Sequence, residues 1–330
     1  MQTKRILFIN FGGLGDEILF LPTIQSIKEE LPNSHITLAL EERSKGITSL
    51  TNVIDETLFA NIKGKSKYIE LLKLLIKIWN GKYDLVFSSG SNKFISIFLF
   101  MTFIKEKYGY NTGKLSQILL TKTADLNKNQ YAAAMYHDLA KIITNRELEL
   151  PKLSIQKKPT MSNTVLIHPG VSKISVQKGM IKTIPALEWA RVVELLADKG
   201  KRVFLIGGPD DKECIDIITQ NVPAEKFENL YGTTKTLKDL AELISSSEVF
   251  LCSDSAPLHI AVSLGVKTFA IFGSTDEKKL IPNNGKVFAI KADCNCPLQP
   301  CLWEHRQTTC EKLDCLKIKP EEIVENILSR

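Results

Sequence analysis

The stretch VFLCSDSAPLHIAVSLGVKTFAIFGST, Val249 to Thr275, decides the fold, because it strings a buried strand, an acidic turn, a helix and a second strand into one compact block. The apolar run Val249-Phe250-Leu251-Cys252 reads as a strand. Ser253-Asp254-Ser255-Ala256-Pro257 reads as a helix start, where Pro257 is tolerated because the N–H it lacks would have no helical partner. The free amides of that helix start face the carboxyl end of the strand. With the helix dipole they make an anion site suited to a diphosphate. Asp254 and His259 flank it. Taken singly, an aspartate caps a helix and a histidine packs beneath it; clustered at one strand end, the two point to a phosphate or nucleotide-sugar role.

The same alternation runs outward in both directions. The first half holds a strand from Lys4 to Asn10, a glycine turn, and a helix from about Asp16 to Glu30 whose apolar positions Ile18, Leu21, Ile24 and Leu31 share one face. Strands at His35–Leu40 and Tyr83–Ser88 follow, with a helix at Lys67–Trp79 before the second. Beyond Leu150, PKLSIQKKPTMSN is polar with two prolines and reads as a linker. A second series then begins, with strands at Thr164–His168 and Arg202–Ile206 and helices at Pro185–Lys199, from Asp210, and at Leu237–Ser245. Strands alternating with helices imply parallel βαβ units, so the expectation is two doubly wound α/β domains, 1–155 and 156–330.

With 330 residues, 44% hydrophobic and 24% charged, the chain is long enough for two cores. The formal net charge of +6 is spread along the chain and not gathered into basic blocks, so nucleic-acid binding is not indicated. Met1 to Phe11 has Lys4 and Arg5 before an apolar run, but the run is too short for a signal peptide and ends in Gly12-Gly13; it is better read as the first strand. Phe94 to Ile104, FISIFLFMTFI, has about half of the roughly 20 residues that span a bilayer. It is expected to be a core helix, with an interfacial helix anchored by Lys93, Lys105 and Lys107 as the alternative.

Asp254-Ser255-Ala256-Pro257-Leu258-His259 followed by Phe272-Gly273-Ser274-Thr275 resembles the Asp-Ser/Thr-Gly-x-x-His block and Phe-Gly-Thr strand end of the family 9 glycosyltransferases, with Ala256 in place of the family glycine. The turn Phe11-Gly12-Gly13-Leu14-Gly15-Asp16, with Pro22 after it, matches the family's first-helix start. His168-Pro169-Gly170-Val171-Ser172 with Lys182-Thr183-Ile184-Pro185 matches its Pro-Gly-x-Ser/Thr and Lys-x-Trp-Pro pair, although Ile184 replaces the tryptophan and the insert 173–181 is long. The resemblance implies a GT-B fold, two Rossmann-like domains facing across a cleft, with the terminal helix 320–329 packing back on the first. It also implies an inverting, metal-independent transferase that needs no catalytic cofactor. That enzyme would move a sugar, heptose from ADP-heptose foremost, onto a saccharide or glycolipid acceptor such as the lipopolysaccharide core. Its place would be the cytoplasm, with peripheral contact at the inner membrane.

By the same resemblance Asp16 is the catalytic base. A carboxylate within reach of the attacking hydroxyl can take its proton; the other use of an aspartate there is interaction with the helix N-terminus. Lys182 is expected to contact the donor phosphate and offset the charge on the leaving diphosphate, with Lys178 as a competing candidate. Gly13, Gly15, Ser172, Asp254, Ser255, Ala256 and His259 complete the donor site, and Asp210, after Gly207-Gly208-Pro209, is the choice for the ribose. Gly13-x-Gly15 with Glu41 at the second strand's end also suggests a dinucleotide fingerprint, but Ile18 stands where Gly or Ala would allow close packing, and Asp16 would put negative charge beside the pyrophosphate.

Five cysteines fall between Cys294 and Cys315. With no secretory signal, disulfides are disfavoured and a thiolate metal site is the physical alternative. A structural zinc or iron on Cys296, Cys301, Cys310 and Cys315 is one expectation; reduced packed thiols and a disulfide remain open beside it. Two functions from other classes also stay open: a non-catalytic nucleotide-sugar-binding protein and a GT-B-fold sugar epimerase.

Overall fold

Apolar runs alternating with amphipathic helices build two units, Met1–Ser154 and Ile155–Arg330, each around a six-stranded parallel sheet. The structure is a computed structural model that describes residues 3–64, 66–302 and 309–330. Residues 303–308, inside the cysteine-bearing segment, therefore lie outside the described residues.

The first unit runs β1 (Lys4–Ile9), α1 (Leu14–Glu30), β2 (Ser34–Leu40), β3 (Glu56–Phe59), α2 (Lys67–Gly81) and β4 (Leu85–Ser88). It continues with α3 (Phe94–Met101), β5 (Glu106–Tyr110), α4 (Lys114–Leu119), β6 (Lys122–Ala124) and α5 (Ala132–His137). The strand order is β3-β2-β1-β4-β5-β6, so the chain steps outward one way from β1 and the other way from β4. Right-handed crossovers then put α1 on one face and α2, α3 and α4 on the opposite one. The carboxyl ends of β1 and β4 meet at the point where the order reverses, the place where open parallel sheets bind ligands. α1 is buried nearly all round, with Ile18, Phe20, Leu21, Ile24 and Ile27 at most 1% exposed. Phe8 of β1 packs edge-on to Phe20 and stacks on Phe87 of β4.

The second unit repeats the plan: β7 (Met161–His168), α6 (Lys173–Gln177), α7 (Ala186–Asp198), β8 (Arg202–Leu205), α8 (Lys212–Asn221), β9 (Phe227–Asn229) and α9 (Leu237–Ser245). Then come β10 (Ser247–Ser253), α10 (Ala256–Leu264), β11 (Lys267–Ile271), α11 (Glu277–Leu280), β12 (Val287–Ile290) and α12 (Pro320–Ser329). The order β12-β11-β10-β7-β8-β9 places the reversal between β7 and β10, where Cys252 pairs with His168. Trp189 of α7 is fully buried in the core beneath. Its truncation to alanine would cost about 3–5 kcal/mol.

Two places differ from the reading of the sequence alone. The short strands β3, β5 and β6, read ETLF, EKYGY and KTA, carry charged residues and lie to either side of the central strands, so no apolar run announces them. Phe94–Met101 is a helix but not a core helix: Leu99 is buried, while Phe94 is 68% and Phe100 50% exposed. The terminal helix α12 packs Ile323, Val324 and Ile327 into the core of its own unit, and Glu321 lies 3.6 Å from Arg191 of α7.

Candidate functional site

The site of the second unit grows from the ends of β7 and β10. Beyond β10, Asp254 is 4% exposed, and its Oδ2 accepts from Lys182 Nζ at 2.9 Å and from the Thr275 hydroxyl at 2.8 Å. Burial alone would push this carboxyl up, but the Lys182 ammonium, the two hydrogen bonds and nearby His259 outweigh it and hold Asp254 below its ordinary value. Asp254 does not cap α10: the N-cap is Ser255, whose side chain makes no cap bond, and Pro257 occupies the first turn. The first amides of α10 therefore sit at a switch point next to a fixed lysine. His259 is buried within α10.

A hydroxyl relay fixes the segment that carries Lys182. The Ser253 hydroxyl donates to Thr183 Oγ1 at 2.7 Å, and the Thr183 hydroxyl donates to the Pro169 carbonyl at 2.7 Å. Trp189 Nε1 donates to Thr183 Oγ1 at 2.9 Å, which ties the loop to the core. Ser274 Oγ donates to the Ile181 carbonyl at 2.9 Å, so the turn after β11 grips the same loop. Lys182 is thus positioned from three sides and is still partly exposed. Ser172 begins the short α6, and Lys178 ends it, both exposed.

At the end of β8 the structure separates two neighbouring aspartates. Asp211 turns inward, 3.3 Å from His168 Nε2, and accepts from the Gly208 N–H at 2.7 Å. Asp210, the residue favoured for the ribose, is exposed and accepts from the Lys173 N–H at 2.9 Å. A methyl on Gly170 would overlap the Asp211 carboxylate, so glycine is required there. The Gly208–Asp211 spacing repeats Gly13–Asp16, a signal in the sequence that could have singled out Asp211.

In the first unit Asp16 Oδ2 accepts from the Gly13 N–H at 2.7 Å, and Oδ1 lies 3.4 Å from the Tyr136 hydroxyl. Asp16 therefore serves the helix start with one oxygen and accepts from the Tyr136 hydroxyl with the other. A side chain at Gly12 would collide with it. Glu17 beside it is 1% exposed, and burial first, then the charge of Asp16, push its carboxyl well above the usual carboxylate range. Gly15 lies in the first turn of α1. Glu41 is 5% exposed and taken up by ion pairs with Arg43 and Lys63, and Lys63 Nζ also donates to the Phe11 carbonyl at 2.8 Å. Burial lowers the Lys63 ammonium, against the pull of Glu41. Glu41 has no free edge for a ribose, which removes the main support of the dinucleotide reading.

The expected metal site is not supported. Among the described residues no group of three or more His, Cys, Asp or Glu side chains could hold a metal ion, Cys296, Cys301, Cys310 and Cys315 included. Cys301 and Cys315 are buried and Cys310 is exposed. Burial, with the neighbouring cysteines adding, pushes the Cys315 thiol up to about 11. The segment packs instead on the turn after β11: Gln299 donates to the Gly273 carbonyl at 2.6 Å, and Leu316 fills the space a side chain at Gly273 would need.

The sequence model of glycosyltransferase family 9 (heptosyltransferase) matches residues 71–310. The chain is 26% identical over 324 residues to lipooligosaccharide heptosyltransferase 2 of Campylobacter jejuni, covering 95% of each. Among solved structures, a family 9 glycosyl transferase from Veillonella parvula superimposes with a TM-score of 0.77 at 21% identity, covering 100% of this chain and 97% of the other. The Escherichia coli ADP-heptose lps heptosyltransferase II does so with 0.73 at 18% identity, covering 98% of each. These likenesses carry the GT-B fold onto the two parallel sheets.

Proposed function

The chain belongs to glycosyltransferase family 9, and from that premise we propose that it moves a heptose from ADP-heptose onto a saccharide of the lipopolysaccharide core by an inverting, metal-independent displacement. The observation that carries this reading is the Lys182–Asp254 pair at the start of α10, where a lysine held by a buried carboxylate stands beside free helix amides. The donor and acceptor classes are those in the names of the relatives. Family membership sets the binding-protein and epimerase readings aside.

In the proposed step the acceptor hydroxyl attacks the anomeric carbon opposite the diphosphate. One C–O bond forms as the other breaks, so the configuration inverts. Asp16 takes the hydroxyl proton on Oδ1, since Oδ2 is committed to Gly13. Lys182 and the amides of Ser255 and Ala256 receive the diphosphate charge, and His259 supports their loop. A lysine ammonium with a helix N-terminus supplies the charge compensation that a divalent cation gives elsewhere, which is the ground for metal independence. Ser172 adds a hydroxyl donor, and Asp210 keeps an oxygen for the ribose. Gly13 and Gly15 keep the Asp16 turn free of side chains. We place the reaction in the cytoplasm on the strength of the family resemblance alone.

The test incubates the protein with ADP-heptose and a heptose-deficient core oligosaccharide and follows ADP release. Release that requires acceptor, survives EDTA and yields a product of inverted anomeric configuration supports the proposal. Retained configuration, loss of turnover with EDTA, or a preference for UDP- or GDP-sugars contradicts it.

A further inference from the structure

The outer face of α2, α3 and α4 is apolar where solvent should meet it. The inner sides of α2 and α3 already serve the core, through Leu74, Ile78 and Leu99, and Leu120 just past α4 joins them. Their opposite sides carry a second apolar stripe at helical spacing. On α2 it is Ile69, Leu72, Ile76 and Trp79, between 43% and 59% exposed. On α3 it is Phe94, Ile97 and Phe100, between 38% and 68%, and on α4 Leu115 and Ile118, at 45% and 75%. A helix that is apolar on both faces either lies inside a protein or faces something other than water.

The three stripes form one surface. The crossovers from β3 to β4, β4 to β5 and β5 to β6 step the same way along the sheet, so their helices share a face. Trp79 Nε1 donates to the Met101 carbonyl at 2.9 Å, and the Trp79 and Phe103 rings lie 6.1 Å apart, closing the seam between α2 and α3. Phe103 is 76% exposed and held at φ 57°, a left-handed conformation that is unfavourable for a bulky side chain.

Charge selects what covers this surface. Between residues 66 and 122 the sequence has nine lysines, no arginine and three acidic residues, Glu70, Asp84 and Glu106. Exposed Lys67, Lys73, Lys77, Lys93, Lys105 and Lys114 lie among the apolar positions. A second copy of the chain docked face to face would set one lysine collar against the other with too few carboxylates to neutralise either. An anionic lipid surface accepts both elements: rings and aliphatic side chains enter the acyl boundary while the lysine stems reach the headgroups.

We propose that the α2–α3–α4 face of the first unit is a docking surface for anionic lipid bilayers, with Phe94, Phe100, Phe103 and Ile118 inserting and the lysines binding headgroup phosphates. The docking goes beyond the transfer chemistry and uses neither substrate, so it stands or falls separately from the proposed reaction. A membrane-anchored acceptor gives it a purpose.

The test is flotation of the full chain with vesicles of phosphatidylcholine alone and of phosphatidylcholine with 30% phosphatidylglycerol, without substrates. The wild-type chain is expected to float with the anionic vesicles and at least tenfold less with the neutral ones. Phe94→Glu with Phe100→Glu should lower anionic binding at least tenfold, and replacing Lys93, Lys105 and Lys114 with alanine should lower it about 100-fold, at about fivefold per lysine. These positions are exposed, so melting temperature and nucleotide affinity should stay at wild-type values in both variants, and each variant is scored only with those values in hand. Absence of wild-type binding to anionic vesicles overturns the proposal, as does equal binding to neutral ones. A wild-type dimer that Phe94→Glu with Phe100→Glu converts to monomer, with no vesicle binding, would assign the face to self-association instead.

Discussion

Lys182→Ala removes the ammonium 2.9 Å from an aspartate that is 4% exposed, and leaves Asp254 with the Thr275 hydroxyl as its one remaining close partner among those that hold its Oδ2. An uncompensated buried charge costs about 3–5 kcal/mol; proton uptake by Asp254 limits the loss, so about 3 kcal/mol is expected at neutral pH. Asp254→Asn should cost less, about 1 kcal/mol, because Lys182 is 24% exposed and can turn to water. The double variant should lose less than the sum, with a coupling of about 1.5–3 kcal/mol. The sign with pH follows from the carboxyl. In the wild type the folded Asp254 lies below its unfolded value near 3.8, so its contribution is full above that value and is lost as pH falls through the lower folded one. In Lys182→Ala burial acts unopposed by the ammonium and the carboxyl moves up, so the penalty is largest at neutral pH and shrinks as pH falls. Urea unfolding of the four proteins at pH 7 and at pH 5 measures all of this. A Lys182→Ala loss below about 0.5 kcal/mol, additive with Asp254→Asn and equal at both pH values, would show that the ammonium does not hold the buried carboxylate.

Lys182→Ala should also weaken donor binding by about 1.5–3 kcal/mol, a charge-assisted phosphate contact, read by calorimetry with ADP; a loss confined to Lys178→Ala would transfer the role to Lys178. Gly170→Ala must displace the Asp211 carboxylate from its place against His168 and should cost about 1–3 kcal/mol in thermal or urea unfolding, whereas a neutral result would show that Asp211 has room to move. Glu17→Gln should stabilise the protein, more at pH 8 than at pH 4. The folded carboxyl lies above its unfolded value, so the wild type loses stability as pH rises between the two, and a pH-independent effect in unfolding curves would contradict the protonated state.

Local chemistry was legible in the sequence and long-range pairing was not. The strand, acidic turn and proline-started helix at Val249–Leu264 could be read because each signal lies within a few residues of the next, and Gly13–Asp16 could be read for the same reason. Lys182 and Asp254 could each be named, but their pairing spans 72 positions and arises only where β7 and β10 lie side by side. Glu41 looked like a free ribose ligand because Lys63, from beyond β3, was invisible to a local reading. Asp210 rather than Asp211 was named for the ribose, and it is Asp211 that turns inward, into space that the glycines at 170 and 207 leave open. The composition of Phe94–Ile104 points to core, but its periodicity feeds one face to the core and leaves the other outside.

Turnover of Asp16→Asn against the wild type, with melting temperatures on the same preparations, separates a catalytic base from a residue that only holds the helix start. Asparagine can still accept from the Gly13 N–H, so stability should change by less than about 1 kcal/mol. It cannot take the acceptor's proton, so acceptor-dependent release of ADP from ADP-heptose should fall about 10²- to 10⁴-fold with donor affinity unchanged. Turnover near the wild-type rate, with or without a shift in melting temperature, would contradict the account, and Asp16 would then be no more than the acceptor of the Gly13 amide at the start of α1.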